Sequence, residues 1–205
     1  MKPNPIGRPA LVASIIGPIQ AVLGWVIAGA LWPGGFDHLT KTISDLAADD
    51  SPVKWIQSSF FILGGTLSII AAVYARALAL PGRIVIFVAG LTTYGLTMFA
   101  TPTQLTYSTW HRVFAIVTFI LMSAWPLFSM RFGRDNPWVL RPVGAITATL
   151  AFTVGSLLFL SVWTNPEQPL VGLWERGIAV SQVLYMTVVV VLSWRYFNNR
   201  RESVV

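Results

Sequence analysis

The chain has 205 residues, a formal net charge of +6, 55% hydrophobic residues and no cysteine. A mean hydropathy of +0.66 with only 11% charged residues excludes an ordinary soluble domain, and the missing cysteines exclude disulfides, thiolate metal sites and c-type haem attachment. The basic residues are not interleaved with aromatics as in a nucleic-acid binder, so the expected partner is membrane lipid and not nucleic acid.

Six apolar segments have lengths near the ~20 residues that carry a helix across about 30 Å of hydrocarbon. Their unbroken hydrophobicity lacks the period of two expected of barrel strands. The first runs from Ala10 to Trp32. Lys2 and Arg8 precede it and Ala28-Gly29-Ala30 lies near its end, a pattern that also suits a cleaved signal peptide. The run is about twice a typical signal core, and Trp32 follows the small residues, so it is read as a retained span.

The connection from Pro33 to Trp55 is the longest and the most acidic. It holds Asp37, Asp45, Asp49 and Asp50, four of the protein's eight carboxylates. At helical spacing Leu39, Ile43 and Leu46 share one side, and His38, Lys41, Asp45 and Asp49 the other, which predicts a short amphipathic helix. Ser51 and Pro52 predict the N-cap and first position of the second span.

The remaining spans run from Ile56 to Leu80, Ile84 to Ala100, Val113 to Met130, Val143 to Trp163 and Gly177 to Trp194. Pro18 and Pro126 predict kinks in the first and fourth. Small residues at four-residue spacing, such as Gly24 with Ala28 and Ala151 with Gly155, predict close helix packing. The expected fold class is therefore all-α: one polytopic membrane domain over residues 1–205, a six-transmembrane-helix bundle with a short amphipathic helix in its first outer loop.

Ten of the fourteen basic residues fall at the termini and in the second and fourth loops; Lys41, Lys54, Arg112 and Arg176 are left for the opposite face. The positive-inside rule then puts both termini in the cytoplasm and the acidic loop outside. Trp32, Trp55, Trp110, Trp163 and Trp174 fall at the outer helix ends, where indole rings prefer the headgroup zone.

Polar residues inside spans are costly in hydrocarbon and mark the bundle interior. Gln20 lies near the middle of the first span, and Thr93, Thr97 and Thr101 descend the third. His111 opens the fourth with Thr118 two turns deeper, and Glu175 opens the sixth with Gln182 likewise deeper. With the acidic loop, Ser44, Asp45, His111, Arg112, Glu175, Arg176 and Gln182 form the candidate ligand-binding set around an outer polar pocket. His38 and His111 are the only histidines and no H-E-x-x-H occurs, so neither metal nor another cofactor is expected.

The motifs T-I-S-D-L-A, S-P-V-K-W, F-I-L-G-G, F-A-T-P-T, H-R-V-F-A and G-L-W-E-R-G resemble those of a bacterial and archaeal family of six-span membrane proteins catalogued as domain of unknown function 998. The resemblance covers nearly the whole chain and implies a single six-helix domain in a prokaryotic cell membrane. It also implies that Ser44, Asp45, Pro102, His111, Glu175 and Arg176 match recurrent polar motifs. It brings no activity with it. Three functional readings stay open. The favoured one is a binder of a lipid headgroup or small polar ligand. The second is a lipid hydrolase or transferase using His111 with Asp45 or Glu175, and the third an accessory subunit of a larger membrane complex.

Overall fold

The computed structural model describes residues 4–106 and 108–202, apart from the side chains of Arg201 and Glu202. Lys2, counted above among the basic residues, lies outside them. Six helices are long and apolar enough to cross a membrane among the described residues. They are α1 (Arg8–Ala30), α3 (Lys54–Tyr74), α4 (Leu80–Met98), α5 (Thr109–Phe128), α6 (Pro142–Trp163) and α7 (Val171–Glu202), with a single helical turn, α2 (Ile43–Leu46), between the first two.

The long helices form a closed ring in which α1 packs on α3, α3 on α4, α4 on α5, α5 on α6, α6 on α7 and α7 back on α1. Close approach depends on missing side chains. A Cβ on Gly65 would stand 2.7 Å from the carbonyl oxygen of Gly90, and one on Gly90 the same distance from that of Gly65, so α3 and α4 touch backbone to backbone. Gly24 receives the ring of Phe60, and Gly155 the side chain of Ile178.

Pro18 sits within α1 and has no N–H to give the carbonyl of Ser14 one turn back. That carbonyl takes a hydrogen bond from the Thr187 hydroxyl of α7, so the gap in one helix becomes a tie to another. Pro126 lies in the last turn of α5, where few backbone bonds remain to be broken.

Several element limits differ from the sequence reading. The first loop contains one helical turn and not a longer amphipathic helix; Leu39 lies outside it and is half exposed. The helix after Pro52 begins at Lys54, with Val53 as its N-cap. Ser51 still organises that corner, because its hydroxyl donates to Leu46 O and accepts from Val53 N. Helix α4 starts four residues before Ile84, with Pro81 in its first turn. Helix α7 extends beyond the apolar stretch at both ends.

The segment before α1 meets the last helix at one end of the ring, where Asn4 donates to Trp194 O and to the Asn198 side chain. Arginines there cap carbonyls: Arg83 donates to Ala72 O and Val73 O, and Arg131 to Ala77 O and Leu78 O. The 31–53 connection closes the opposite end.

Candidate functional site

Four carboxylates in one loop raise the question of what they bind. Each is used by the loop or by a neighbouring loop. Asp37 accepts from Leu39 N and the Thr40 hydroxyl. Asp45 and Thr42 form a reciprocal capping box around α2. Asp49 pairs with Lys54 at 2.8 Å, and Asp50 accepts from Gln104 N. None of the four lines the cavity described below.

The same end of the bundle is locked from the helix side. Glu175, buried in α7, accepts the N–H of Ile43 through Oε2. Its neighbour Arg176 is also buried and uses one nitrogen, Nη1, to donate to His38 O, Lys41 O and Gly172 O at 2.8–2.9 Å. The guanidinium carbon lies 5.7 Å from the ring centre of Trp25 and 6.0 Å from that of Phe36. Glycine is required at 172, where a Cβ would fall 2.1 Å from Lys41 O.

His111, buried at the start of α5, holds the loop from a third direction. Its Nε2 lies 2.9 Å from Ser44 Oγ and its Nδ1 3.2 Å from Leu96 O. The α5 N-cap is Ser108, whose hydroxyl accepts from His111 N.

Burial sets the charge state of the loop's own groups. Asp45 is pushed above the usual carboxylate range by burial, partly offset by the hydrogen bonds from Thr42 and by the charges of Lys41 and Arg176. His38 is held below the ordinary histidine value, first by burial and then by Arg176, against the opposing pull of Asp37.

Beneath this lid the helices line a partly open cavity of about 180 Å³. Ala13, Trp25, Phe60, Leu67, Phe119 and Met186 are among its apolar walls, contributed by α1, α3, α5 and α7. Ile43 of the lid lines the cavity, and so does Glu175. Ser14, Gln20, Gln57, Ser68, Thr93, Thr118 and Gln182 supply its other polar groups.

Some of these polar groups are satisfied by side chains behind the cavity wall. Thr118 donates to Thr92, and Gln182 donates to Ser123 at 3.1 Å. The Oε1 atoms of Gln20 and Gln57 are buried and take no hydrogen bond from any described residue. The Oε1 atom of Glu175 has no hydrogen-bond donor among the described residues either.

Of the seven candidates, Ser44, Asp45, His111, Glu175 and Arg176 meet at the lid, and Gln182 lies deeper in the cavity wall. Arg112 stands apart: it is exposed on α5, 5.5 Å from the ring centre of Trp163, and does not join the cluster. Gln57 was missed by the sequence reading. Its signal was available, as a polar residue one turn inside the second span. No three His, Asp or Glu side chains are grouped to hold a metal among the described residues.

A family model described as "Protein of unknown function (DUF998)" matches residues 15–192. The chain belongs to that family. The match takes in α3 to α6, the 31–53 lid and most of α1 and α7, and leaves residues 1–14 and 193–205 outside it. No curated protein and no solved structure matches this DUF998 member.

Proposed function

We propose that this membrane protein binds a small amphiphile, with an apolar body in the cavity between the helices and a hydrogen-bond-donating head, an amine or hydroxyl, against Glu175. The observation that carries this reading is the carboxylate of Glu175 at the loop end of a mostly apolar chamber. The chamber also presents the acceptor oxygens of Gln20 and Gln57, for which the fold provides no donor. Buried acceptors without donors cost about 1–3 kcal/mol each, and a ligand that supplies donors recovers that cost.

The basic residues gather at the end opposite the lid, which supports placing the chamber's lid at the extracytoplasmic face. A ligand would then enter from the outer leaflet or the outer solution.

The test uses purified protein in detergent with hexylamine, hexanol and hexanoate as probes. The reading expects hexylamine or hexanol to raise the melting temperature and hexanoate to leave it unchanged. The amine's effect should disappear in Glu175→Gln. Equal shifts by all three probes, or an amine effect that survives in the variant, would overturn it.

A further inference from the structure

We infer that Ser44 and His111 form a nucleophile–base pair able to cleave carboxylic esters at the loop end of the chamber. The inference goes beyond ligand binding and stands on a separate observation, the hydrogen bonds on the two sides of one imidazole ring.

His111 Nδ1 lies 3.2 Å from Leu96 O. A carbonyl oxygen only accepts hydrogen bonds, so in the neutral ring the proton resides on Nδ1. Nε2 is then a bare acceptor, and the hydroxyl of Ser44, 2.9 Å away, donates to it. This is the arrangement in which a base draws the proton from a serine nucleophile while a third group fixes the ring's tautomer. Here the third group is a backbone carbonyl where many serine hydrolases use a carboxylate.

Leu96 O is free for the task because it belongs to the last turn of α4, whose carbonyls lack partners within the helix. The imidazole is buried, which limits competition from water, whereas Ser44 is only half-buried and can be approached. Ile43, beside the serine, and Leu96, behind the histidine, both line the chamber. An acyl chain in the cavity would rest against these two residues, which flank the pair; Ser44 and His111 do not themselves line the chamber. Lys41 and Arg176 both favour the charged form of the adjacent Asp45, so two cations and a carboxylate share this part of the lid.

In the step itself, Ser44 Oγ bonds to the acyl carbon while its proton passes to His111 Nε2. The bond from that carbon to the leaving alcohol oxygen breaks, and this oxygen takes the proton. Water then attacks the acyl-serine, giving one proton through Nε2 back to Ser44 Oγ. The sum is ester plus water to carboxylic acid plus alcohol, with no redox partner.

The experiment treats the full-length protein in detergent with a fluorescent fluorophosphonate, and locates any adduct by peptide mass spectrometry. Thermal unfolding of the same samples verifies that each is folded. The expected result is an adduct on Ser44, absent in Ser44→Ala and at least tenfold slower in His111→Gln. The folded wild-type protein serves as its own test should a variant not fold. An unlabelled wild-type Ser44, or labelling as fast in a folded His111→Gln protein, overturns the inference and leaves the contact as a latch between lid and α5.

Discussion

Glu175 accepts a hydrogen bond from the backbone N–H of Ile43, 132 residues earlier in the chain, and thereby joins the last helix to the first loop. The carboxylate closes the lid and also lines the chamber below it. Replacing it separates the two roles. Glu175→Gln keeps an oxygen for Ile43 N, whereas Glu175→Ala leaves that N–H buried without a partner. The alanine variant should lose about 1–3 kcal/mol. A thermal unfolding series should show the glutamine variant closer to wild type than the alanine variant; equal losses would deny the hydrogen bond any part in stability.

Much of the fold was legible in the chain because membrane burial acts on composition alone. Six apolar runs and their basic flanks require no knowledge of which helix touches which. Helix ends were less legible for a physical reason: hydropathy reports the hydrocarbon-embedded part, while a helix continues as long as its backbone bonds do. Thus α7 runs through Arg195–Glu202, where the apolar stretch has already ended. At the site, the polar level was visible but its wiring was not. His111 meets Ser44 across 67 residues, and Arg112, its neighbour in sequence, points to Trp163 instead. Asp45 looked like a ligand group because a capping box and a binding carboxylate are the same residue type seen without partners.

Within the 31–53 loop itself, two groups respond to pH with opposite sign. His38 lies below its ordinary value of 6.5, so the folded state binds its proton less readily than the unfolded chain. Its contribution is complete above that value and is lost as pH falls through the folded one. Asp45 lies above its ordinary 3.8, so its contribution grows as pH falls from the folded value towards 3.8. Acidification from about pH 7.5 to about pH 5.5 should therefore cost stability through His38, so the melting temperature of His38→Gln relative to wild type should be higher at the lower pH. Asp45→Asn should remove the opposing gain at lower pH. A pH response that is identical in the His38 variant would assign it elsewhere.

The contact of α3 with α4 makes a steric prediction. Gly90→Ala places a methyl group 2.7 Å from Gly65 O and 2.8 Å from Ile69 Cγ1, so the two helices must separate. Overpacking of this kind costs about 1–3 kcal/mol. Gly177 is the matched control on α7, since a Cβ there meets nothing within 4 Å. Gly177→Ala should be neutral or gain about 0.5–1 kcal/mol from reduced backbone freedom. Melting temperatures of the two variants in one detergent should move in opposite directions or differ clearly in size.

Arg176 provides the most demanding test of the lid as a unit. Its Nη1 shares its two N–H groups among three carbonyls, two of them in the loop, while its guanidinium carbon lies 5.7 Å from the ring centre of Trp25 and 6.0 Å from that of Phe36. Lysine retains the charge but has a compact head and no plane to stack, so it cannot reproduce this set of contacts. Hydrogen bonds to charged groups contribute about 1.5–3 kcal/mol, and most of that should be lost in Arg176→Lys as well as in Arg176→Ala. The loss should be local, because the spans pack on one another independently of the loop. Limited proteolysis should thus cut within residues 33–53 at least tenfold faster in both variants, with the span fragments remaining folded together. Resistance equal to wild type in the lysine variant would show that charge alone holds the lid.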